Sequence, residues 1–240
     1  MSGRVEGKIA LVTGGAMGLG KADCERLAAE GAKVVVTDID EAKGKEVAAS
    51  VGGSFHQHDV REEGRWDEII AAVEAEHGKL DILVNNAGNV IFEDILECSL
   101  DHFRLHLDIH VVGTFLGCQK AIPLMAKTAR ESGGGSIINI SSIFGIVADE
   151  LSLAYSASKG GVRSMTKAIA LDCSARNTGV RVNSVHPGFV QTPLVENGVS
   201  AMPAEMAEAY GVRTVGQTPM GRIGEPSEIG DVIAFLASDA

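Results

Sequence analysis

The stretch Lys8-Ile-Ala-Leu-Val-Thr-Gly-Gly-Ala-Met-Gly-Leu-Gly20 decides the fold. Its first half is an apolar, β-branched run that reads as a buried strand, and its second half crowds Gly14, Gly15, Gly18 and Gly20 into the turn before a helical stretch. Glycines let a backbone approach a pyrophosphate closely, and a helix N-terminus offers free N–H groups and partial positive charge. The turn is therefore a candidate dinucleotide site, with Gly14, Met17, Gly18, Leu19 and Gly20 as its cofactor-facing residues. Taken alone, such a turn is also what any tight strand-to-helix connection needs.

Outward from this turn, short β-branched runs near 8–13, 33–38, 54–59, 80–85, 136–141 and 180–185 alternate with helical periodicity near 18–30, 41–50, 62–77, 101–128, 154–176 and 226–238. Strands alternating with helices predict the α/β class: a single doubly wound parallel sheet, Rossmann-type, with helices on both faces. No linker, composition shift or repeat divides the alternation, so residues 1–240 read as one domain. The long irregular stretch at about 188–225 is expected to be a substrate lid, because loops of that length inside a compact domain are usually functional.

Composition excludes several classes. With 45% hydrophobic and 22% charged residues among 240, the chain is an ordinary globule rather than a disordered or collagenous one. Its 21 Lys and Arg against 32 Asp and Glu leave a formal charge of −11 without any basic block, which argues against nucleic acid and anionic membrane as partners. Unbroken apolar runs such as VIAFLA at 232–237 are far shorter than the roughly 18 residues of a membrane span. The N-terminal MSGRVEGK lacks the apolar stretch of a secretory signal, so the expected compartment is the cytoplasm. Cys24, Cys98, Cys118 and Cys173 are scattered without a Cys-x-x-Cys pair, and neither a zinc knuckle nor a redox dithiol is expected.

Four positions, Asp38, Ser142, Tyr155 and Lys159, carry candidate chemistry. Asp38 ends the second strand, 18 residues beyond Gly20, where a carboxylate accepts from both ribose hydroxyls and repels a 2′-phosphate, which points to NAD over NADP. Tyr155 and Lys159 lie four apart on one helical face. A free phenol titrates near pH 10, so a neighbouring ammonium is what lets it act as a general base toward an alcohol. A lone Tyr-x-x-x-Lys pair is equally a surface pair, but Ser142 ends the fifth strand at the sheet edge where α/β ligands bind, in reach of a substrate oxygen beside the phenol. His102, His106 and His110 recur every four residues along one helix stripe. Three imidazoles so placed span about 12 Å, too far to share one ion, so a packed or interfacial face is expected and no metal site.

Together these residues resemble the short-chain dehydrogenase/reductase family in its NAD-preferring form, across essentially the whole chain. Beside TGGAMGLG (13–20) and YSASK (155–159), the resemblance rests on Asp59-Val60, Asn85-Asn86-Ala87-Gly88, Asn139-Ile140-Ser141-Ser142 and Pro187-Gly188 with Thr192, all in order. It is nearest to bacterial secondary-alcohol, cyclic-alcohol and hydroxysteroid dehydrogenases, partly through Ser141-Ser142-Ile143, Ala170-Leu171-Asp172 and Val185-His186-Pro187-Gly188. The resemblance implies that Asp59 and Val60 hold the adenine, that Asn86 and Gly88 shape the cofactor floor, and that Val190 and Thr192 contact the carboxamide. It further implies Tyr155 as acid/base, Lys159 on the nicotinamide ribose while lowering the Tyr155 pKa, and Ser142 positioning the reacting oxygen. Family members are typically homotetramers, so a homotetramer or homodimer is expected.

Two departures from the family pattern stand out. The helix after NNAG reads Asp108-Ile109-His110-Val111-Val112-Gly113, so His110 takes the place of a relay Asn. An imidazole titrating near pH 6.5 is expected to keep activity but alter its pH profile. Members also continue past a sequence like FLASDA (235–240) into a seventh strand, which is expected to be missing here.

The expected substrate pocket draws on Val90, Ile143, Phe144, Ile146, Val147, Leu153, Leu194, Val195, Met202, Met206 and Tyr210, largely apolar, with Arg213 the only basic residue between Val190 and Val215. An uncharged secondary alcohol or ketone fits this best. A sugar or polyol, favoured by Asp149, Glu150 and Glu196, is the alternative, and a non-catalytic NAD-binding module is the reading outside enzymology.

Overall fold

The computed structural model describes residues 3–132 and 134–240; of the N-terminal stretch read above, Met1 and Ser2 lie outside that description. Apolar side chains on both faces make β1 (Ile9–Thr13) a buried central strand, all five residues covered. On one face Ile9 and Leu11 pack with Trp66, Leu83 and Ile137, while on the other Ala10 and Val12 pack with Cys24, Val34, Ile138 and Ile233.

The remaining strands are β2 (Lys33–Asp38), β3 (Ser54–Gln57), β4 (Ile82–Asn85), β5 (Gly135–Ile140) and β6 (Val180–Val185). They form one sheet in the order β3-β2-β1-β4-β5-β6, with every pairing parallel. The chain winds outward from β1 to β3 and then crosses to β4. The loops after β1 and β4 consequently diverge, and a cleft opens between them at the carboxyl edge.

Crossing helices α1 (Gly18–Ala29), α2 (Glu41–Ser50), α3 (Glu63–His77), α4 (Leu100–His106), α5 (Gly113–Ser132), α6 (Leu153–Ala175) and α9 (Pro226–Ala237) cover the two faces, with α7 (Pro193–Ser200) and α8 (Ala204–Gln217) over the carboxyl edge. Local signals set their ends. The Asp40 carboxylate accepts from the Lys43 N–H at 3.1 Å to cap α2, and α3 stops at Gly78, whose φ of 72° is left-handed.

Three expectations change. The strand expected at 54–59 ends at Gln57, and His58 to Val60 turn into the cleft. The helix expected at 101–128 is interrupted by a π-helical turn, Leu107–Val112, joining α4 to α5. That wider turn accompanies side chains committed to a neighbouring loop, described below. The stretch expected to be irregular at 188–225 contains α7, begun by Thr192 as N-cap and Pro193 in the first turn, and α8. Leu100–Ala129 is long and apolar enough to cross a membrane, although half of its most apolar window is buried inside the fold, as in a core helix.

Asp81 ties β1 to β4. Its buried carboxylate accepts from the Ile9 N–H at 2.8 Å and pairs with Lys79 at 2.9 Å. Asp81→Ala leaves the Ile9 N–H without that acceptor and is expected to cost about 1–3 kcal/mol, read as a lower urea midpoint at unchanged slope.

Candidate active site

The dinucleotide cleft is shaped by backbone contacts that only glycine permits. Gly14 and Gly18 have φ of 65° and 55°. A Cβ on Gly20 would lie 2.1 Å from the Gly14 carbonyl oxygen, and one on Gly14 would lie 2.8 Å from the Ala87 Cα. Asn86 locks the two loops together, its side-chain amide donating to the carbonyls of Thr13 at 2.9 Å and Gly14 at 3.0 Å. No side chain caps the start of α1, so the turn faces the cleft with a bare helix N-terminus.

The cleft has a volume of about 630 Å³, within the usual range for small-molecule sites. Gly14, Met17, Gly18, Leu19, Asp38, Asp59, Val60, Asn86, Gly88, Tyr155, Lys159, Val190 and Thr192 all line it. Gly20 does not; its place is underneath, against the Gly14 carbonyl. A glycine cradle, an uncapped helix start and an acidic strand end on one cleft of this size fit a dinucleotide.

Asp38 is held from both sides. Its Oδ2 accepts from the Ala16 N–H at 3.0 Å and its Oδ1 from the Asp40 N–H at 2.9 Å. The cations among the lining residues are Arg61 and Lys159. Arg61 is committed to Asp59, with Nη2 2.5 Å from Oδ2, and this pairing holds the Asp59 carboxyl below its usual value. Sequence reasoning missed Arg61 as well as His58, a lining residue whose ring stands edge-on to Trp66 at 4.3 Å between centroids.

Ser142, Tyr155 and Lys159 come together where β5 ends and α6 begins. Lys159 is buried, donates from Nζ to the Ile140 carbonyl at 2.8 Å, and lies 5.5 Å from the centre of the Tyr155 ring. Burial pulls the Lys159 ammonium down to about 7. The expectation that Lys159 lowers the Tyr155 pKa is not met in the protein alone. Burial raises the phenol, and the group that draws it down is the Ser142 hydroxyl.

The Ser142 Oγ accepts from the Phe144 N–H at 3.1 Å. Its carbonyl accepts from His186 Nδ1–H at 3.1 Å, while His186 Nε2 accepts from the Ser184 hydroxyl at 2.9 Å. His186, part of the Val185-His186-Pro187-Gly188 motif, thus braces Ser142 from behind.

His110 lines the cleft, but both of its nitrogens are taken. Nε2 accepts from the Asn89 N–H at 3.0 Å, so Nδ1 carries the proton and donates to Ser158 Oγ at 2.7 Å. Ser158 in turn donates to the Tyr155 carbonyl at 2.7 Å. Burial, then the Lys159 charge, pulls the imidazole well below its usual value. The expectation of titration near 6.5 is therefore overturned: the ring stays neutral at neutral pH. His106 works alike, with Nε2 accepting from the Ile91 N–H at 3.2 Å and Nδ1–H donating to the His102 carbonyl at 2.8 Å. His102 instead meets the Glu93 carboxylate at 2.7 Å.

Beside the cleft lies a chamber of about 60 Å³ with apolar walls. Ser142 and Tyr155 border it together with Val90, Phe92, Ile143, Phe144, Gly188, Phe189, Leu194, Val195 and Tyr210. Five expected residues are not on its walls: Ile146 and Val147, both 58% exposed, and Leu153, Met202 and Met206. Leu153 and Met206 are 37% and 44% exposed, and Met202 sits in the turn between α7 and α8. Phe92 and Phe189 were missed; Phe189 packs on Phe144 at 5.7 Å and on Tyr210 at 6.2 Å between ring centres.

A family model described as enoyl-(acyl carrier protein) reductase matches residues 14–240. The chain is similar to the NADP-dependent (R)-specific alcohol dehydrogenase of Lentilactobacillus kefiri, 40% identical over all of this chain and 92% of that one. It is 39% identical to the 3-beta-hydroxysteroid dehydrogenase of Comamonas testosteroni, again over all of this chain and 92% of that one. Among solved structures, the crystal structure of gox2181 superposes with a TM-score of 0.89 at 31% identity, covering 98% of this chain and 90% of that one.

Burial lowers His58 to about 4, with Arg65 a lesser cause. The unfolded chain takes up that proton near pH 6.5, so between 6.5 and 4 it binds more protons than the folded one and stability falls as pH falls, by up to about 1.4 kcal/mol per unit. His58→Asn is expected to lose this part of the slope in urea unfolding across that window.

Proposed function

Because the chain belongs to the short-chain dehydrogenase/reductase family, we propose that it is an NAD-dependent dehydrogenase acting on uncharged, largely apolar secondary alcohols and ketones, cyclic and steroid ones included. The observation that carries this reading is the Ser142, Tyr155 and Lys159 cluster, shared between a dinucleotide-sized cleft and an apolar chamber. On this reading residues 1–240 act as one cofactor-binding catalytic domain, and 188–225 closes over the substrate. When bound, NAD supplies the two-electron acceptor, its nicotinamide C4 taking the hydride that leaves the carbinol carbon.

The chain's own part is to hold the alcohol and move its proton. Ser142 donates to the substrate oxygen, and the Tyr155 oxygen takes the hydroxyl proton, leaving a ketone. Lys159 makes this possible by charge. Burial disfavours charge on both groups in the protein alone, and a phenolate formed as the alcohol binds would be stabilised by the ammonium close to its ring. With Lys159 near 7, the ammonium is present in useful amount at neutral pH and can pass a proton on.

Asp38 is the ground for NAD. Its carboxylate is fixed at the end of β2 and faces the cleft, where a 2′-phosphate would meet a negative charge and where Arg61 is already paired with Asp59. The Lentilactobacillus relative is NADP-dependent by name, so cofactor choice is a matter for direct measurement.

A sugar or polyol is less well served. Arg213 engages both Asp149 and Glu150, and Glu196 is exposed. The reading also makes the protein a cytoplasmic homotetramer or homodimer; exposed Leu100, Phe115 and Leu171 on the long helices support cross-subunit packing.

Tyr155→Phe is expected to lower alcohol oxidation at least about thousandfold while NADH binding, followed by fluorescence, persists. Loss of binding together with activity, or retained turnover, contradicts the assigned role. Asp38→Ala is expected to shift the NAD to NADP ratio of kcat/KM toward NADP by about a hundredfold, measured at 340 nm with both cofactors.

A further inference from the structure

The segment after β4 lies outside the sheet, yet it is hydrogen-bonded as a strand would be. Along 89–93 every second N–H is taken: Asn89 donates to His110 Nε2 at 3.0 Å, Ile91 to His106 Nε2 at 3.2 Å and Glu93 to the Leu151 carbonyl at 2.8 Å. Alternate N–H groups of an extended chain share one edge, so two imidazoles stand where a neighbouring strand would offer carbonyls. The spacings agree. Two residues of extended chain rise about 6.6 Å, four residues of helix rise about 6 Å, and the two ring centres are 5.7 Å apart.

What this clamp holds is the chamber. Val90 and Phe92, the residues between the bonded ones, border it. The Phe92 ring packs on Tyr210 of α8 at 5.3 Å between centres, and a Cβ on Gly198 of α7 would lie 2.7 Å from that ring. Both lid helices therefore rest on this segment. On their other side the imidazoles stand edge-on to the Tyr155 ring, His106 at 6.4 Å and His110 at 5.5 Å between centres. Each is oriented by its Nδ1–H, which His106 gives to the His102 carbonyl at 2.8 Å and His110 to Ser158 Oγ at 2.7 Å. Burial lowers both imidazoles, which keeps the Nε2 lone pairs free to accept at neutral pH.

We propose that His106 and His110 are positioning residues for substrate fit: together they fix the wall carrying Val90 and Phe92, and the lid that leans on it, relative to the Tyr155 phenol. The inference rests on the dehydrogenase reading above. It separates two roles. His106 reaches the segment alone, so its acceptor governs how tightly the alcohol is held, whereas His110 is also bonded through Ser158 to the turn of α6 that carries the phenol.

The test uses the full chain, His106→Phe and His106→Gln, with steady-state oxidation of cyclohexanol, 2-octanol and androsterone by NAD, NADH binding by fluorescence, and imidazole tautomers by 15N NMR. Phe keeps a ring beside Tyr155 but offers no acceptor, while the Gln side-chain oxygen reaches about as far as Nε2 and supplies one. Expected in the parent protein is the proton on Nδ1 of both His106 and His110. Expected in His106→Phe is a KM raised about tenfold for each alcohol that turns over, with kcat within about twofold and NADH affinity unchanged, and in His106→Gln a KM near the parent's. KM does not depend on how much of a preparation is folded. A proton on Nε2 of either ring, an unchanged KM in His106→Phe, or a KM raised equally in both variants overturns the assignment, and the first of these is read on the parent protein even where neither variant folds. Failure of the parent to oxidise any of the three alcohols, with NADH binding retained, overturns the dehydrogenase reading and the role in substrate fit with it, while the tautomers still report the clamp.

Discussion

The Asn86 side chain is the constraint on which the site depends. At the point where the strand order reverses, β1 and β4 end side by side, and the carbonyls of Thr13 and Gly14 run past the last ladder bond. Both are satisfied by one amide group, at 2.9 and 3.0 Å. The Thr13 hydroxyl returns the favour by accepting from the N–H groups of Asn86 and Ala87, at 3.0 and 3.1 Å. This reciprocal set fixes how far apart the two loops stand. It thereby sets the width of the cleft, the room left for Gly20 beneath Gly14, and the position of Gly88 over the floor. Removing the amide would take the side-chain donor from two backbone carbonyls at once.

Much of this was legible in the primary structure because it follows from local chemistry. The run Ile9–Thr13 is too apolar on both sides for anything but a central strand, and each expected strand lies within two residues of an observed one at both ends. The cofactor-facing glycines and Asp38 were legible because strand end, turn and helix start are contiguous. What escaped was tertiary. No pattern in Leu107–Val112 announces a π-helical turn, since the turn answers to Asn89 and Ile91, two backbone N–H groups on another segment. The same cause hid the neutrality of His110. Its type suggested titration near neutrality, whereas burial and two fixed partners hold it uncharged. The segment after Thr192 was a failure of a different kind: Thr192-Pro193 is a helix-start signal that its glycine-rich surroundings masked.

The acid/base pair illustrates a tension within the folded protein. Burial disfavours charge on both partners, raising Tyr155 and lowering Lys159, so the resting pair leans toward neutrality. Neutral imidazoles at His106 and His110 add no charge of their own. They position backbone instead, and through Ser158 the His110 ring reaches the first turn of α6 that carries the phenol. Placement and ionisation are thus handled by different residues.

The two halves of the site also differ in how they are built into the chain. Ser142, Tyr155 and Lys159 sit on β5 and α6, whose packing the whole sheet requires. Most of the chamber's remaining wall, Gly188, Phe189, Leu194, Val195 and Tyr210, belongs to a segment that contributes no strand. Exchanging those side chains leaves every ladder of the sheet intact. A lineage carrying this architecture can change its diet by rewriting side chains within the segment 186–225, between β6 and α9, while its reaction chemistry is inherited unaltered.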